Sequence, residues 1–203
     1  MSPRANSPRP PGKMRDHLLH AALRAFAAGG YEGTSIKRVA AEAKVAPALL
    51  YHYFPSKEAL LLALFAQNQA QISAPFLAMA AVEDPREQLG TLLRLSATSV
   101  KTNLDFWRLT HRLRHHADVL ASLGDGVAAW NQALIGAFTA LLTAIGRPTP
   151  EVEALLLFGA MDGVFQHYVL VPEGYPLDAV IGTLIAHFGG AEPALPPTPT
   201  AAS

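Results

Sequence analysis

Two short helical patterns separated by only three residues constrain this chain more than any other feature. Ile36, Val39, Ala40 and Ala43 stand at i, i+3, i+4 and i+7, which puts one apolar face on a helix over about residues 35–43. Thr34 precedes it as the expected N-cap, because a threonine hydroxyl can accept one of the backbone N–H groups that a first turn leaves unpaired. The chain then turns at Lys44-Val45-Ala46, and Pro47 suits the first position of a second helix, where a missing N–H costs nothing. Leu50 and Phe54 share one side of that helix, over about residues 47–53, while Tyr51, His52 and Tyr53 take its other faces. Helices this short, joined this tightly, predict a helix-turn-helix, the arrangement that presents a short helix to the DNA major groove.

The segment Leu50-Tyr51-His52-Tyr53-Phe54-Pro55-Ser56-Lys57-Glu58-Ala59-Leu60 closely resembles the signature of the TetR family of bacterial transcriptional regulators, and the resemblance runs from about Met14 to Leu62. It implies an all-α protein with an N-terminal three-helix helix-turn-helix DNA-binding domain and a C-terminal helical ligand-binding and dimerisation domain. The expected boundaries are 13–56 and 57–188, between disordered tails at 1–12 and 189–203. By the same resemblance, Tyr51, His52 and Lys57 match positions that contact DNA, mainly its backbone. Thr34 and Lys37 match positions that touch phosphate or a groove edge.

Three departures from the family pattern bear on this set. Lys44 stands in the turn where the family usually has glycine; at positive φ a lysine costs on the order of 1 kcal/mol, but it adds a cation near the expected phosphate path. Ala46 replaces a frequent serine cap. The groove-facing start of the second helix is Ala46, Pro47, Ala48 and Leu49, which can touch thymine methyls but cannot pair bidentately with guanine. The candidate DNA-binding residues are therefore Thr34, Lys37, Lys44, Tyr51, His52 and Lys57.

Charge distribution fits this reading. The net charge is zero, yet residues 1–60 carry nine Lys and Arg against four Asp and Glu, and the remainder carries seven against twelve. A basic head suits phosphates and an acidic body stays off them. There are no cysteines and no long uninterrupted apolar run, so disulfides, thiolate metal sites and a membrane-spanning helix are not expected. The Pro- and Arg-rich N-terminus has no apolar h-region, and a cytoplasmic protein is expected.

The remaining pattern is helical throughout. Met14–Ala28 forms a first helix ended by Gly29-Gly30, and Ser56 caps a fourth that stops before Pro75. Asp84-Pro85-Arg86-Glu87 opens a fifth helix through about Asn103, followed by Leu104–His116, Asp118–Ile145, a helix begun at Thr149-Pro150-Glu151, and Leu177–Phe188. The two ends hold eight of the sixteen prolines and show no apolar periodicity.

For the second half, the family resemblance implies a cavity, and Trp107, His111, Trp130, Met161 and Phe165 are the candidate ligand-binding residues, combining apolar bulk with one titratable group. Gly159 and Gly163 lie four apart and let another helix approach, so with Leu184 and Phe188 they mark the last two helices as the candidate dimer interface. His111 and His115 are one turn apart, but Arg112 stands where a zincin has glutamate, so no metal is expected. No Ser/His/Asp spacing or Gly-rich phosphate loop points to catalysis, and neither catalytic residues nor a cofactor are expected. The expected partners are a double-stranded, pseudo-palindromic operator, a small-molecule effector and a second copy of the chain. An activator, a ligand-independent DNA binder, a helical enzyme and an interaction module without DNA binding are the rival readings.

Overall fold

The computed structural model describes residues 11–113 and 126–190. Among the described residues all regular structure is helical: α1 Pro11–Gly29, α2 Ile36–Ala43, α3 Pro47–Tyr53, α4 Lys57–Met79, α5 Pro85–Thr102, α6 Leu104–Leu113, α7 Gly126–Ile145, α8 Pro150–Leu170 and α9 Leu177–Gly189. Of the expected tails at 1–12 and 189–203, Pro11 and Gly12 belong to α1 and Gly189 to α9, while residues 1–10 and 191–203, the N-terminal arginines Arg4 and Arg9 among them, and the His115 and His116 helix end lie outside the described residues.

The chain divides into two compact units, and the division is not linear along the sequence. The first comprises residues up to 69 together with the stretch containing α6, and the second comprises 70–102 and the later helices. The expected boundary after residue 56 is thus displaced into α4, and α6 joins the head. Leu109 and Leu113 of α6 explain this, because both are buried in the same cluster as Leu18, Phe26, Val39, Leu50 and Leu64. Phe106 of α6 also meets Phe65 of α4 edge-on at 5.3 Å, the tilted geometry that aromatic pairs prefer.

Two glycines shape the α1–α2 connection. Gly30 ends α1 at φ +73°, a conformation that disfavours a side chain, and a Cβ at Gly33 would lie 2.7 Å from the Gly29 carbonyl oxygen. α1 itself begins at Pro11, earlier than Met14, with proline at the helix start where its ring is tolerated. α4 runs through Pro75 to Met79 instead of stopping before it. Proline forfeits one backbone hydrogen bond there, but Pro75 is buried and the Phe76 ring packs edge-on against Trp130 at 5.0 Å, so tertiary contact holds the last turn.

In the second unit, α5 is capped as its sequence implies: the Glu87 N–H donates to Asp84 Oδ2 at 3.1 Å. Leu89, Leu92, Leu93 and Val100 of α5 are buried, as are Phe138 and Leu142 of α7, Leu157, Met161 and Phe165 of α8, and Ile181 and Phe188 of α9. One end of this core carries an ion pair that is almost out of water. Arg147 Nε donates to Glu153 Oε2 at 2.5 Å with side-chain exposures of 8% and 10%, and Thr149 Oγ1 donates to the second oxygen of Glu153 at 3.2 Å. Removing one member of such a pair strands the other charge. Glu153→Ala is therefore expected to destabilise the protein by about 3 kcal/mol, read from its urea unfolding curve. Adding Arg147→Met to that variant should recover most of the loss.

Candidate nucleic-acid interface

The geometry of the head begins at the end of α2. Ser35, not Thr34, is its N-cap: Ser35 Oγ accepts the Arg38 N–H at 3.2 Å. Thr34 faces inward, 1% exposed, and its hydroxyl donates to the Ala25 carbonyl at 3.2 Å. A buried, hydrogen-bonded hydroxyl has no surface to offer a phosphate, so Thr34 leaves the candidate set and becomes a tie between α1 and α2. Sequence reading chose the wrong one of two adjacent hydroxyl residues, because both fit the cap position by pattern.

At its other end α2 closes with Lys44 at φ 56° and ψ 44°, the left-handed conformation expected where the family has glycine. The Lys44 N–H donates to the Ala41 carbonyl at 3.1 Å and the Val45 N–H to the Ala40 carbonyl at 3.0 Å, the paired reverse bonds of a Schellman ending. From α1, His17 Nε2 donates to the Ala43 carbonyl at 2.8 Å. No spacing rule would have found His17, which is 26 residues from its acceptor. Its tie matters because it satisfies a carbonyl that the helix end leaves unpaired.

α3 starts at Pro47 with no side-chain cap from Ala46, as the sequence implied. Leu50 is fully buried and Phe54 nearly so, which turns Ala48, Tyr51 and His52 to solvent at i, i+3 and i+4. Tyr51 is 53% exposed, a large aromatic left in water on the face opposite the core. Lys37, Arg38 and Lys44 are also exposed, and Arg38 was not singled out from the sequence although it adjoins Lys37. The head thus presents a short helix with a hydrophilic aromatic face, flanked by cations.

Lys57 differs from the other cations. Its ammonium donates to the Tyr31 carbonyl at 3.1 Å, lies 4.1 Å from the Tyr31 ring centroid and is 3.9 Å from a Glu32 carboxylate oxygen. The Tyr31 hydroxyl in turn donates to Glu58 Oε1 at 3.3 Å. Ser56 caps α4 through the Ala59 N–H at 3.1 Å. The Glu58 carboxyl is held below its usual range first by a hydrogen bond from its own backbone amide and then by the Ser56 hydroxyl. Burial is the main force pushing the Tyr31 phenol above its ordinary value, followed by the Glu58 carboxylate and then Glu32.

The five candidate ligand residues divide between the units. Trp107 and His111, with ring centroids 6.5 Å apart, belong to the first. In the second, Met161 and Phe165 are buried one turn apart on α8, and Trp130 packs on Phe76. Two open clefts, of about 240 and 350 Å³, lie instead around the α8–α9 turn, where they share Tyr175, and none of the five lines them. Among the described residues, no three His, Asp or Glu side chains converge to hold a metal, and no helix is long and apolar enough to cross a membrane.

Gly159 and Gly163 are exposed on α8, with open space where a Cβ would go. Leu184 is half-buried, and Phe188 is only 5% exposed within its own unit. Phe188 therefore belongs to the core and leaves the candidate interface. The outer face of α9 carries the exposed small residues Ala179, Gly182, Thr183 and Ala186 at i, i+3, i+4 and i+7.

A helix-turn-helix head with its aromatic face outward, followed by a separate helical unit, defines a DNA-binding regulator. Residues 18–64 match the model of the bacterial regulatory proteins of the tetR family, and residues 84–190 match that of the tetracyclin repressor-like C-terminal domain. The chain belongs to the TetR family of transcriptional regulators; it is a DNA-binding regulator and not an enzyme. Among relatives, the HTH-type transcriptional regulator PksA of Bacillus subtilis (strain 168) is 26% identical over 86% of this chain and 88% of its own length. A shorter match, 47% identical, is to the uncharacterized HTH-type transcriptional regulator YuxN of the same organism, and covers 23% of this chain and 16% of that protein. The fold resembles a TetR-like regulator from Rhodococcus sp. RHA1, with a TM-score of 0.78, 24% identity and coverage of 90% and 96%. It also resembles the regulator FadR from Bacillus subtilis solved in complex with stearoyl-CoA, with a TM-score of 0.71, 19% identity and coverage of 85% and 96%.

The Tyr31 phenol supplies a test of its burial beside Glu58. A folded-state pKa raised above about 10 means that this group's stabilisation is complete below that pH and is lost as pH rises past it. Tyr31→Phe is expected to flatten the fall in unfolding free energy between about pH 10 and 11, measured by urea titration at a series of pH values.

Proposed function

We propose that the protein is a cytoplasmic, homodimeric repressor that a small, largely apolar molecule releases from a pseudo-palindromic operator. The observation that carries this reading is the apolar character of α8 on both of its faces. Ala154, Leu157, Met161, Phe165 and Val169 are buried in the unit's own core, while Val152, Leu155, Leu156 and Leu170 are 56–69% exposed. An apolar helix face of this size left in water supports a partner that covers it. Gly159 and Gly163 lie along the same face and favour close approach of a second helix, which a two-fold copy of α8 and α9 supplies. A symmetric pair of heads would read two half-sites about one DNA turn, or 34 Å, apart.

The effector reading rests on side-chain chemistry and on a neighbour. Trp130, Met161 and Phe165 give the second unit apolar and aromatic bulk, and the structurally similar FadR holds stearoyl-CoA. α4 begins in the first unit and ends in the second, so it is a continuous helical route by which an effector would reach the head, beside the α5–α6 junction. The ligand need only prefer the conformation that does not fit DNA, and a coupling of about 1–3 kcal/mol changes affinity roughly 5- to 150-fold.

Gly163→Leu tests the dimer directly. A Cβ there meets nothing within 4 Å in the subunit and Gly163 is exposed, so the substitution is expected to keep the fold and to act on a partner helix. Sedimentation of the variant at micromolar concentration is expected to show monomers where the parent is dimeric; an unaltered dimer moves the interface elsewhere. For the effector, Trp107 and Trp130 are the two tryptophans of the chain. Apolar compounds that change their fluorescence are expected to weaken the complex with DNA from the upstream region of the gene. Hits that leave the affinity for DNA unchanged remove the induction mechanism and leave DNA binding intact.

A further inference from the structure

We propose that the Lys44 ammonium is the principal phosphate-facing charge of the α2–α3 turn, retained there against backbone strain, and that Lys57 is a positioning residue for the start of α4. This rests on the DNA-binding role of the first unit and goes further by dividing two roles between two lysines that the sequence placed in one group.

Lys44 is the one non-glycine at positive φ among the described residues. An L residue is disfavoured there, and such strain persists only where the surroundings over-determine it. They do so here from both sides. The Ala41 and Ala40 carbonyls hold the Lys44 and Val45 amides, His17 holds the Ala43 carbonyl, and Val45 packs against the head's core. The backbone conformation at residue 44 is therefore set by its neighbours, and nothing in the turn requires a lysine side chain. Glycine would adopt the same conformation without strain.

The side chain, by contrast, is exposed, and none of the ion pairs or side-chain hydrogen bonds among the described residues engages its ammonium. Glu42, the nearest carboxylate in sequence, is bonded to Arg24 at 2.9 Å. Ala46, Pro47 and Ala48, which follow the turn, are exposed and carry no side-chain hydrogen-bonding group. A cation at residue 44 supplies what this stretch lacks, on a segment whose backbone is already rigid. Lys57 is the opposite case: its side chain is only 21% exposed, and its ammonium is directed at the Tyr31 carbonyl, the Tyr31 ring and Glu32. Its contacts tie the first residue of α4 to the α1–α2 connection.

The experiment compares the full-length parent with Lys44→Gly, Lys44→Asn, Lys44→Arg and Lys57→Ala. Each is titrated with a fluorescein-labelled duplex of mixed sequence, about 30 base pairs long, across a range of salt concentrations. Each is also melted thermally. Lys44→Gly is expected to raise the melting midpoint by about 2–4 °C. It should also weaken duplex binding about five- to tenfold near 0.1 M salt, and make the log-affinity against log-salt slope shallower by about 0.9 per bound head. Lys44→Asn tolerates the same backbone region and is expected to give the same loss of slope, while Lys44→Arg restores it. Lys57→Ala is expected to lower the melting midpoint, with a smaller fall in slope than Lys44→Asn. Gly and Asn variants that keep the parent's slope overturn the assignment, as does a larger loss of slope in Lys57→Ala. An unraised midpoint in Lys44→Gly overturns retention against strain. A parent whose duplex binding shows no salt dependence defeats the DNA-binding reading itself, an outcome distinct from the others.

Discussion

With three residues between Ala43 and Pro47, α3 can leave α2 in very few directions, and the left-handed turn at Lys44 selects one of them. Two backbone N–H groups and one histidine satisfy carbonyls that the end of α2 would otherwise leave unpaired, so the turn cannot relax without losing hydrogen bonds. Leu50 and Phe54 can then reach the core around Phe26 and Leu64 only from one side of α3. The outward placement of Ala48, Tyr51 and His52 is a consequence of that burial. The exposed face of this head is thus the remainder of packing: what the core does not take is left in water.

The head is larger than its motif. α1 supplies more of its buried residues than any other helix, and α6, which starts at Leu104 well beyond the end of α4 at Met79, completes it with Leu109 and Leu113. Arg112 adds a polar tie by donating to the Ala28 carbonyl at the end of α1 at 3.2 Å. A helix that is distant in sequence therefore shares the cooperative core of the DNA-binding unit. Disturbing α6 would be felt as a loss of head stability as well as a local change, because contacts within one core are not independent.

In the second unit, α8 sets the constraint. It carries apolar residues on its inner and on its outer face, beside the exposed polar residues Glu151, Gln166 and His167. Its inner face closes the unit against α5, α7 and α9, and its outer face remains uncovered in a single chain. The Arg147–Glu153 pair at its start has a different character, since a nearly buried ion pair adds orientation more than net stability.

Local pattern alone determined much of this protein. The periodicity of α2 and α3, proline at the start of α3, α5 and α8, the Ser56 and Asp84 caps and the strained turn at Lys44 were all legible, because each depends on residues within one or two turns. Tertiary structure decided whatever depends on residues far apart. It gave the cap of α2 to Ser35 and buried Thr34 against Ala25, and it carried α4 through Pro75 on the strength of a Phe76–Trp130 contact. It also moved α6 into the head, drew Phe188 into its own core and engaged the Lys57 ammonium with Tyr31. Spacing reports which residues share a helix face; only the packed chain reports what that face meets, because burial and pairing are set by neighbours tens of residues away.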